Sequence, residues 1–417
     1  MPKKPVLAVA LSLNLLASTQ AADWPQFLGP SRNGACEGPI LALDWGTNGP
    51  PMVWKTPVGH GFSGPVVAER KVILFHRRAD EEQVDCLDAR TGSRIWHFAY
   101  PTKYQDEFGF DDGPRATPVV SDHRVYTFGA EGSLHCLDLM TGTNLWSADL
   151  QKDFRPPNGF FGLACSPLIE GEALLLNLGA PNGAGIVAFH KTSGKLLWKN
   201  SEDEASYSSP TAATIEARRY VVFFTRNGLV AADPVTGNIG FQYSWHSQNR
   251  MSVNAATPLV FGNTIFLSAS YGTGAILLRS HDHQLEKLWS GDDLLSNHYA
   301  TSVEYKGFLF GIHGRTDPGY RPSAALRCVN LNTKKVCWES DTVGAATLTR
   351  VGERLLILTE KGELIQIVAT PDQFLPKSRA QIFPNLVRAF PAVADGFFYA
   401  RGQDRLICLD LGKANHE

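Results

Sequence analysis

The chain has 417 residues, 43% hydrophobic and 19% charged, so it holds enough apolar side chain to offset the entropy of ordering and is not a disordered chain. Its 39 Lys and Arg nearly balance 41 Asp and Glu, and a net charge of −2 supplies no attraction for nucleic acid or an anionic membrane surface. Seven cysteines, an odd number, do not read as a disulfide framework.

The chain opens on Met1-Pro2-Lys3-Lys4, an apolar run from Val6 to Ala17, and then Ser18-Thr19-Gln20-Ala21-Ala22. A basic start, a short apolar stretch and small residues at Thr19 and Ala21 predict an export leader over residues 1–21, cleaved after Ala21. The apolar run is shorter than the roughly 20 residues a membrane span needs. No cysteine follows it closely enough to carry a lipid anchor. The remainder divides into an extension over 22–50, a repetitive region over 51–412 and a tail over 413–417.

One pattern recurs through the repetitive region. A Ser/Thr-Pro pair opens an apolar strand, two strands follow, the third ends in Leu-Asp, and a Thr-Gly turn leads to a strand carrying Trp. The first copies run from Ser63-Gly64-Pro65 to Trp96, from Thr117-Pro118 to Trp146, and from Ser166-Pro167 to Trp198. The next run from Ser209-Pro210 to Phe241, from Thr257-Pro258 to Trp289, and from Thr301-Ser302 to Trp338. A seventh copy begins near Thr347 without the Leu-Asp ending or the Trp; an eighth begins at Pro391 and stops at Leu409-Asp410. The closing strand that the eighth lacks is found at the other end of the chain, in Pro51-Met52-Val53-Trp54-Lys55-Thr56. Trp54, Trp96, Trp146 and Trp198 are 42, 50 and 52 residues apart, the length of a four-stranded blade. The expected fold is all-β: one eight-bladed propeller of four-stranded antiparallel blades, its ring closed by the N-terminal strand so that no blade is left incomplete. The six tryptophans Trp54, Trp96, Trp146, Trp198, Trp289 and Trp338 are expected to dock blade on blade. Cys86, Cys136, Cys328 and Cys408 recur at one place in the repeat and read as small buried fillers.

The Thr-Gly-x-x-x-Trp segments resemble those of the pyrroloquinoline-quinone (PQQ)-type propellers. The stretches Asp23-Trp24-Pro25-Gln26-Phe27-Leu28-Gly29-Pro30-Ser31-Arg32-Asn33-Gly34, Gly113-Pro114-Arg115-Ala116-Thr117-Pro118 and Asn254-Ala255-Ala256-Thr257-Pro258 are similar to those of secreted bacterial PQQ-binding-like repeat proteins. The resemblance implies two kinds of function. Quinoprotein dehydrogenases oxidise alcohols or sugars with a PQQ–calcium pair held above vicinal cysteines, and this sequence has no Cys-Cys pair. The assembly lipoprotein BamB is a non-catalytic propeller that holds partner proteins; this chain lacks its lipid-attachment cysteine.

Loops leading into each first strand, and those joining the middle strands, are expected to share one ring face. They present His60, Asp111, Asp112, Arg115, Tyr207, Arg250, Asn254, His298 and Arg388, with Arg77, Arg78, Arg226, Arg315, Arg321 and Arg401 beside them. Arg115, Asn254, His298 and Arg388 are the funnel candidates for ligand binding, since convergent guanidinium groups suit carboxylate or phosphate. Mutual pairing with loop carboxylates is the competing expectation. Asp106, Glu107, Asp111 and Asp112 lack the spacing of a calcium loop and read as a solvated acidic loop. His281-Asp282-His283 reads as a turn, Cys165 as a buried filler, and no metal site or catalytic residue is assigned. The expectation is an exported, monomeric, non-catalytic propeller that binds a protein, peptide or polymer on one face, with no transmembrane span. The alternative is a quinoprotein oxidoreductase with PQQ and calcium in the funnel.

Overall fold

The computed structural model describes residues 23–412 apart from 39, 40, 43, 47, 317–322 and 385; the expected leader and tail lie outside the described residues. Eight antiparallel sheets form the ring, each built from strands in the order in which the repeat supplies them. Blade 2 is representative: Val119–Ser121, Arg124–Phe128, Ser133–Asp138 and Asn144–Asp149 pair in sequence, with Tyr126 opposite Cys136 and Cys136 opposite Trp146. The ring closes where the N-terminal strand Met52–Pro57 pairs with Arg405–Asp410 as the fourth strand of blade 8.

The repeat residues explain this geometry locally. Asp138 Oδ1 accepts the N–H groups of Met140 (2.9 Å) and Thr141 (2.8 Å) and the Thr141 hydroxyl (3.0 Å), which folds the turn between the outer strands. The Thr141 N–H also holds the Asp138 carboxyl below the usual carboxylate range. Gly142 ends the turn at φ +72°, leaving its Cα bare for the Trp96 ring of blade 1. The same contact joins Trp54 to Gly92, Trp146 to Gly194 and Trp198 to Gly237. Each indole N–H donates to a carbonyl of the next blade: Trp54 to Ala89 (3.0 Å), Trp96 to Leu139 (2.8 Å), Trp146 to Lys191 (2.9 Å), Trp198 to Pro234 (3.1 Å) and Trp338 to Thr370 (2.9 Å). Trp289 packs in the apolar cluster between blades 5 and 6, with Phe266, Leu309 and Val329.

The Ser/Thr-Pro pairs link neighbouring blades at four junctions where first strands begin. The Gly64 N–H donates to Thr117 Oγ1 (3.0 Å), the Thr117 N–H to Ser166 Oγ (2.9 Å), the Ser166 N–H to Ser209 Oγ (2.9 Å), and the Thr257 N–H to Thr301 Oγ1 (3.0 Å). A hydroxyl of one blade thus satisfies the backbone of the blade before it, and the proline that follows carries no N–H needing a partner. The core lies between blades rather than along the axis, as in the cluster of Leu134, Cys136, Leu174 and Leu176. Cys86, Cys136, Cys328 and Cys408 are fully buried free thiols, and burial pushes the Cys86, Cys136 and Cys408 thiols up to about 12.

The start of the described chain does something that no repeat announces. Trp24 bridges Val67 of blade 1, the Pro25 carbonyl accepts the Val120 N–H of blade 2 (2.8 Å), and Arg32 reaches the Ser166 and Pro167 carbonyls of blade 3. Ala35–Cys36 then adds as a parallel fifth strand to Ala346–Val351 of blade 7. Trp24, Pro25 and Ala35–Cys36 meet the inner strands near their first turns, while Arg32 reaches the carbonyls just ahead of Leu168–Glu170 and Phe27 packs edge-on to Phe390 at 5.1 Å, so the segment crosses the channel along the inner strands of blades 1, 2, 3 and 7.

Candidate functional site

On the loop face, Arg115 and Arg388 converge on one ring. The Arg115 guanidinium lies 5.4 Å from the Phe62 centroid and that of Arg388 lies 5.9 Å from it. Arg388 also stacks near Phe110 (5.4 Å) and Tyr299 (6.0 Å), and Tyr299 neighbours His298 at 5.9 Å between centroids. His298 Nε2 in turn meets the Tyr271 hydroxyl at 3.1 Å. Three of the four sequence candidates therefore join one aromatic chain. Asn254 stands apart: it is fully buried at φ +44°, and its Nδ2 donates to the Thr225 carbonyl at 3.1 Å, bracing the middle loop of blade 4.

Both guanidinium groups have carboxylate partners. Arg115 Nη2 pairs with Asp106, and its Nη1 donates to the Tyr104 hydroxyl at 3.2 Å. Arg388 Nε donates to Glu360 Oε1 at 2.8 Å, an oxygen that also accepts from the Tyr299 hydroxyl at 2.9 Å. The 104–115 loop is accordingly not the solvated acidic loop the sequence suggests. The Asp106 side chain is 0% exposed and organises the loop by accepting the N–H groups of Phe108 (2.8 Å) and Asp111 (3.3 Å). Burial pushes the Tyr104 phenol up to about 12 and raises those of Tyr207 and Tyr299, so all three stay protonated at neutral pH.

Sequence reasoning about charges passed over the aromatic residues that give this face its character. Phe108 and Phe110 are 47% and 51% exposed, with centroids 6.2 Å apart; Phe108 is 5.6 Å from both Phe160 and Phe161. Phe161 packs on Tyr207 at 5.3 Å, and the Tyr207 hydroxyl accepts the N–H groups of Phe160 (2.6 Å) and Phe161 (3.1 Å). A cavity of about 220 Å³ opens beside them, lined by Phe160, Asn177, Glu204, Tyr207, Arg226 and Arg250. The available signal was position: these phenylalanines lie in the two stretches, 102–115 and 155–163, where the chain departs from the repeat. Turn residues elsewhere behave as read. Asp282 and His283 form a left-handed turn between strands, with His283 Nδ1 3.2 Å from Glu216. Among the described residues no group of three or more His, Cys, Asp or Glu is arranged to hold a metal ion.

The family model described as outer membrane protein assembly factor BamB matches residues 80–338. The crystal structure of BamB from Moraxella catarrhalis superposes with a TM-score of 0.63 at 15% identity, over 88% of this chain and 99% of that one. Quinohemoprotein alcohol dehydrogenase from Comamonas testosteroni superposes with a TM-score of 0.71 at 15% identity, over 95% and 82%. At these identities the superpositions show the fold. By sequence, quinoprotein alcohol dehydrogenase PedH of Pseudomonas putida is 29% identical over 127 residues, 29% of this chain and 19% of that protein. The Comamonas testosteroni enzyme is 29% identical over 137 residues, 30% and 19% respectively. Each match thus covers about a fifth of the length of these curated relatives.

Proposed function

Because the chain belongs to the family of the outer membrane protein assembly factor BamB, we propose that it is an exported, non-catalytic propeller whose loop face binds a protein or peptide partner. The observation that carries this reading is the aromatic cluster of Phe108, Phe110, Phe160 and Phe161. Large apolar rings held half-exposed on loops cost solvation in the free protein, and such residues anchor partners at interfaces. Arg115 and Arg388 lie beneath the rings with their charge already neutralised, so the surface suits apolar side chains flanked by backbone amides rather than a free anion. Export rests on the leader expected over residues 1–21; among the described residues no helix is long and apolar enough to cross a membrane. The test is selection of peptides from a displayed random library on the purified chain, followed by titration of the winners. Peptides bearing aromatic or aliphatic anchors should bind, and Phe108→Ser/Phe110→Ser should weaken them at least tenfold without lowering the melting temperature. Affinity unmoved by the double substitution would overturn the assignment of this face.

A second reading, a quinoprotein oxidoreductase, is supported by the two sequence relatives. PQQ is a planar tricarboxylate, and the Phe62 ring has the Arg115 and Arg388 guanidinium groups 5.4 and 5.9 Å from its centroid. The donor set does not match the quinone–calcium pair, however: the two cations are paired with Asp106 and Glu360, and no described carboxylate cluster suits the metal. Quinone absorbance and dye-linked alcohol oxidation after addition of PQQ and calcium would replace the scaffold reading with this one.

A further inference from the structure

Blade 6 carries a second cysteine where its sister blades carry an aliphatic residue. Its third and fourth strands, Ala325–Asn330 and Lys335–Ser340, pair with Cys328 opposite Trp338 and Val329 opposite Val336, which leaves Cys337 in a bulge. In such a bulge two residues of one strand oppose one of the other, so Cys337 and Trp338 both oppose Cys328. Blade 4 shows which way the bulged side chain points. There Phe241 lies opposite Ala231 and Gly240 takes the bulge; a Cβ on Gly240 would lie 2.3 Å from Cε1 of Tyr220, whose ring packs on Phe241 at 5.0 Å between centroids. The bulged position therefore faces the same side of the sheet as the docking ring, and in blade 6 that side also holds the Cys328 thiol. The two thiols interact directly. Blades 1, 2 and 8 repeat this register with Cys86, Cys136 and Cys408 in the place of Cys328, and their bulges hold Ile95, Leu145 and Val53.

We propose that Cys328 and Cys337 are a redox pair that closes into a disulfide, fastening the two outer strands of blade 6 to each other. Opposed residues of antiparallel strands have Cα atoms roughly 4.5–5.5 Å apart, within the roughly 4.4–6.8 Å that disulfides span, so closure asks for no movement of a strand. Access differs between the two: Cys337 is exposed and Cys328 is 0% exposed. Burial, and then the neighbouring Cys337, raise the Cys328 thiol, so Cys337 is the sulfur that meets an oxidant first. As thiolate it attacks a small-molecule disulfide and expels one thiolate; Cys328, releasing its proton to solvent, attacks the Cys337 sulfur and expels the second. Two protein thiols are thereby oxidised by two electrons, and the small disulfide is reduced to two thiols. The clasp bears on the ring, because Trp338 beside Cys337 donates its indole N–H to Thr370 O of blade 7 at 2.9 Å, and blade 7 has no docking tryptophan of its own. The pair does not depend on what the loop face binds.

The test incubates the purified chain with oxidised glutathione, unfolds it in N-ethylmaleimide to block free thiols, and digests it with trypsin, which cuts after Arg327, Lys334 and Lys335. Mass spectrometry should find the peptide 328–334 joined to the peptide 336–350 through Cys328 and Cys337, and dithiothreitol should separate them. The oxidised chain should melt about 2–4 °C above the reduced one. That rise should vanish in Cys337→Ser, whose exposed position tolerates the change. In Cys328→Ala the reaction should stop at glutathione attached to Cys337; should that variant fail to fold, Cys337→Ser decides alone. Both thiols still open to N-ethylmaleimide after exhaustive oxidation, a glutathione adduct persisting on Cys337 of the parent, or a Cys337 link between two chains overturns the pairing. A linked chain that melts with the reduced one overturns the fastening of the strands.

Discussion

Replacing Gly142 with alanine probes how one blade holds the next. Gly142 sits at φ +72°, and a methyl on its Cα would lie 2.6 Å from Cε3 and 2.7 Å from Cδ2 of Trp96. Two costs combine. The left-handed backbone of an L-residue costs about 1–2 kcal/mol. Displacing a ring that is 8% exposed, and whose indole donates to Leu139 O at 2.8 Å, costs roughly 1–3 kcal/mol more as overpacking. Gly142→Ala should therefore lose about 2–5 kcal/mol, and Trp96→Ala about 3–5 kcal/mol from the cavity it leaves. In the double variant the clash has no ring to meet, so Gly142→Ala adds only its backbone cost of about 1–2 kcal/mol to the loss from Trp96→Ala. The two substitutions should fall short of additivity by about 1–3 kcal/mol. Urea unfolding followed by far-ultraviolet circular dichroism measures all four corners of the cycle, provided the slopes agree. Additivity within about 0.5 kcal/mol would show that Gly142 serves its own turn and not the Trp96 ring.

Two further outcomes follow from buried ionisable groups. Arg115→Ala strands the Asp106 carboxylate, whose side chain is 0% exposed, and should cost about 3–5 kcal/mol, with partial recovery in Arg115→Ala/Asp106→Ala; a single variant that melts with the parent refutes the pairing. His135, packed 4.3 Å from Tyr100 between ring centroids and with neither ring nitrogen bonded among the described residues, is lowered by burial to about 4. The unfolded chain takes up that proton near pH 6.5 and the native state only near 4, so this stability is complete above pH 6.5 and is lost as pH falls toward 4. His135→Phe should flatten melting temperature against pH over that window, and an unchanged slope counts against it.

The ring and its closure were legible in the sequence because every signal involved is short-range and repeated. An aspartate caps its own turn within three residues, and a glycine bares its Cα in that same turn. The tryptophan recurs one blade length later, so neighbouring copies specify each other's contacts. Seeing that Met52–Pro57 completes blade 8 needed only a count of strands, since an unpaired edge in a ring is costly. What tertiary structure decided lies outside the repeat, where no second copy marks a residue's partner. Arg115 finds Asp106 nine residues away, and Arg388 finds Glu360 only because two blades bring their loops together. Arg32 rests on carbonyls 134 and 135 residues distant, an arrangement settled by the crossing of the channel and by no local propensity. The exposed phenylalanines are of the same kind. In a composition they are merely apolar; only the loops that hold them out of the core make them a surface.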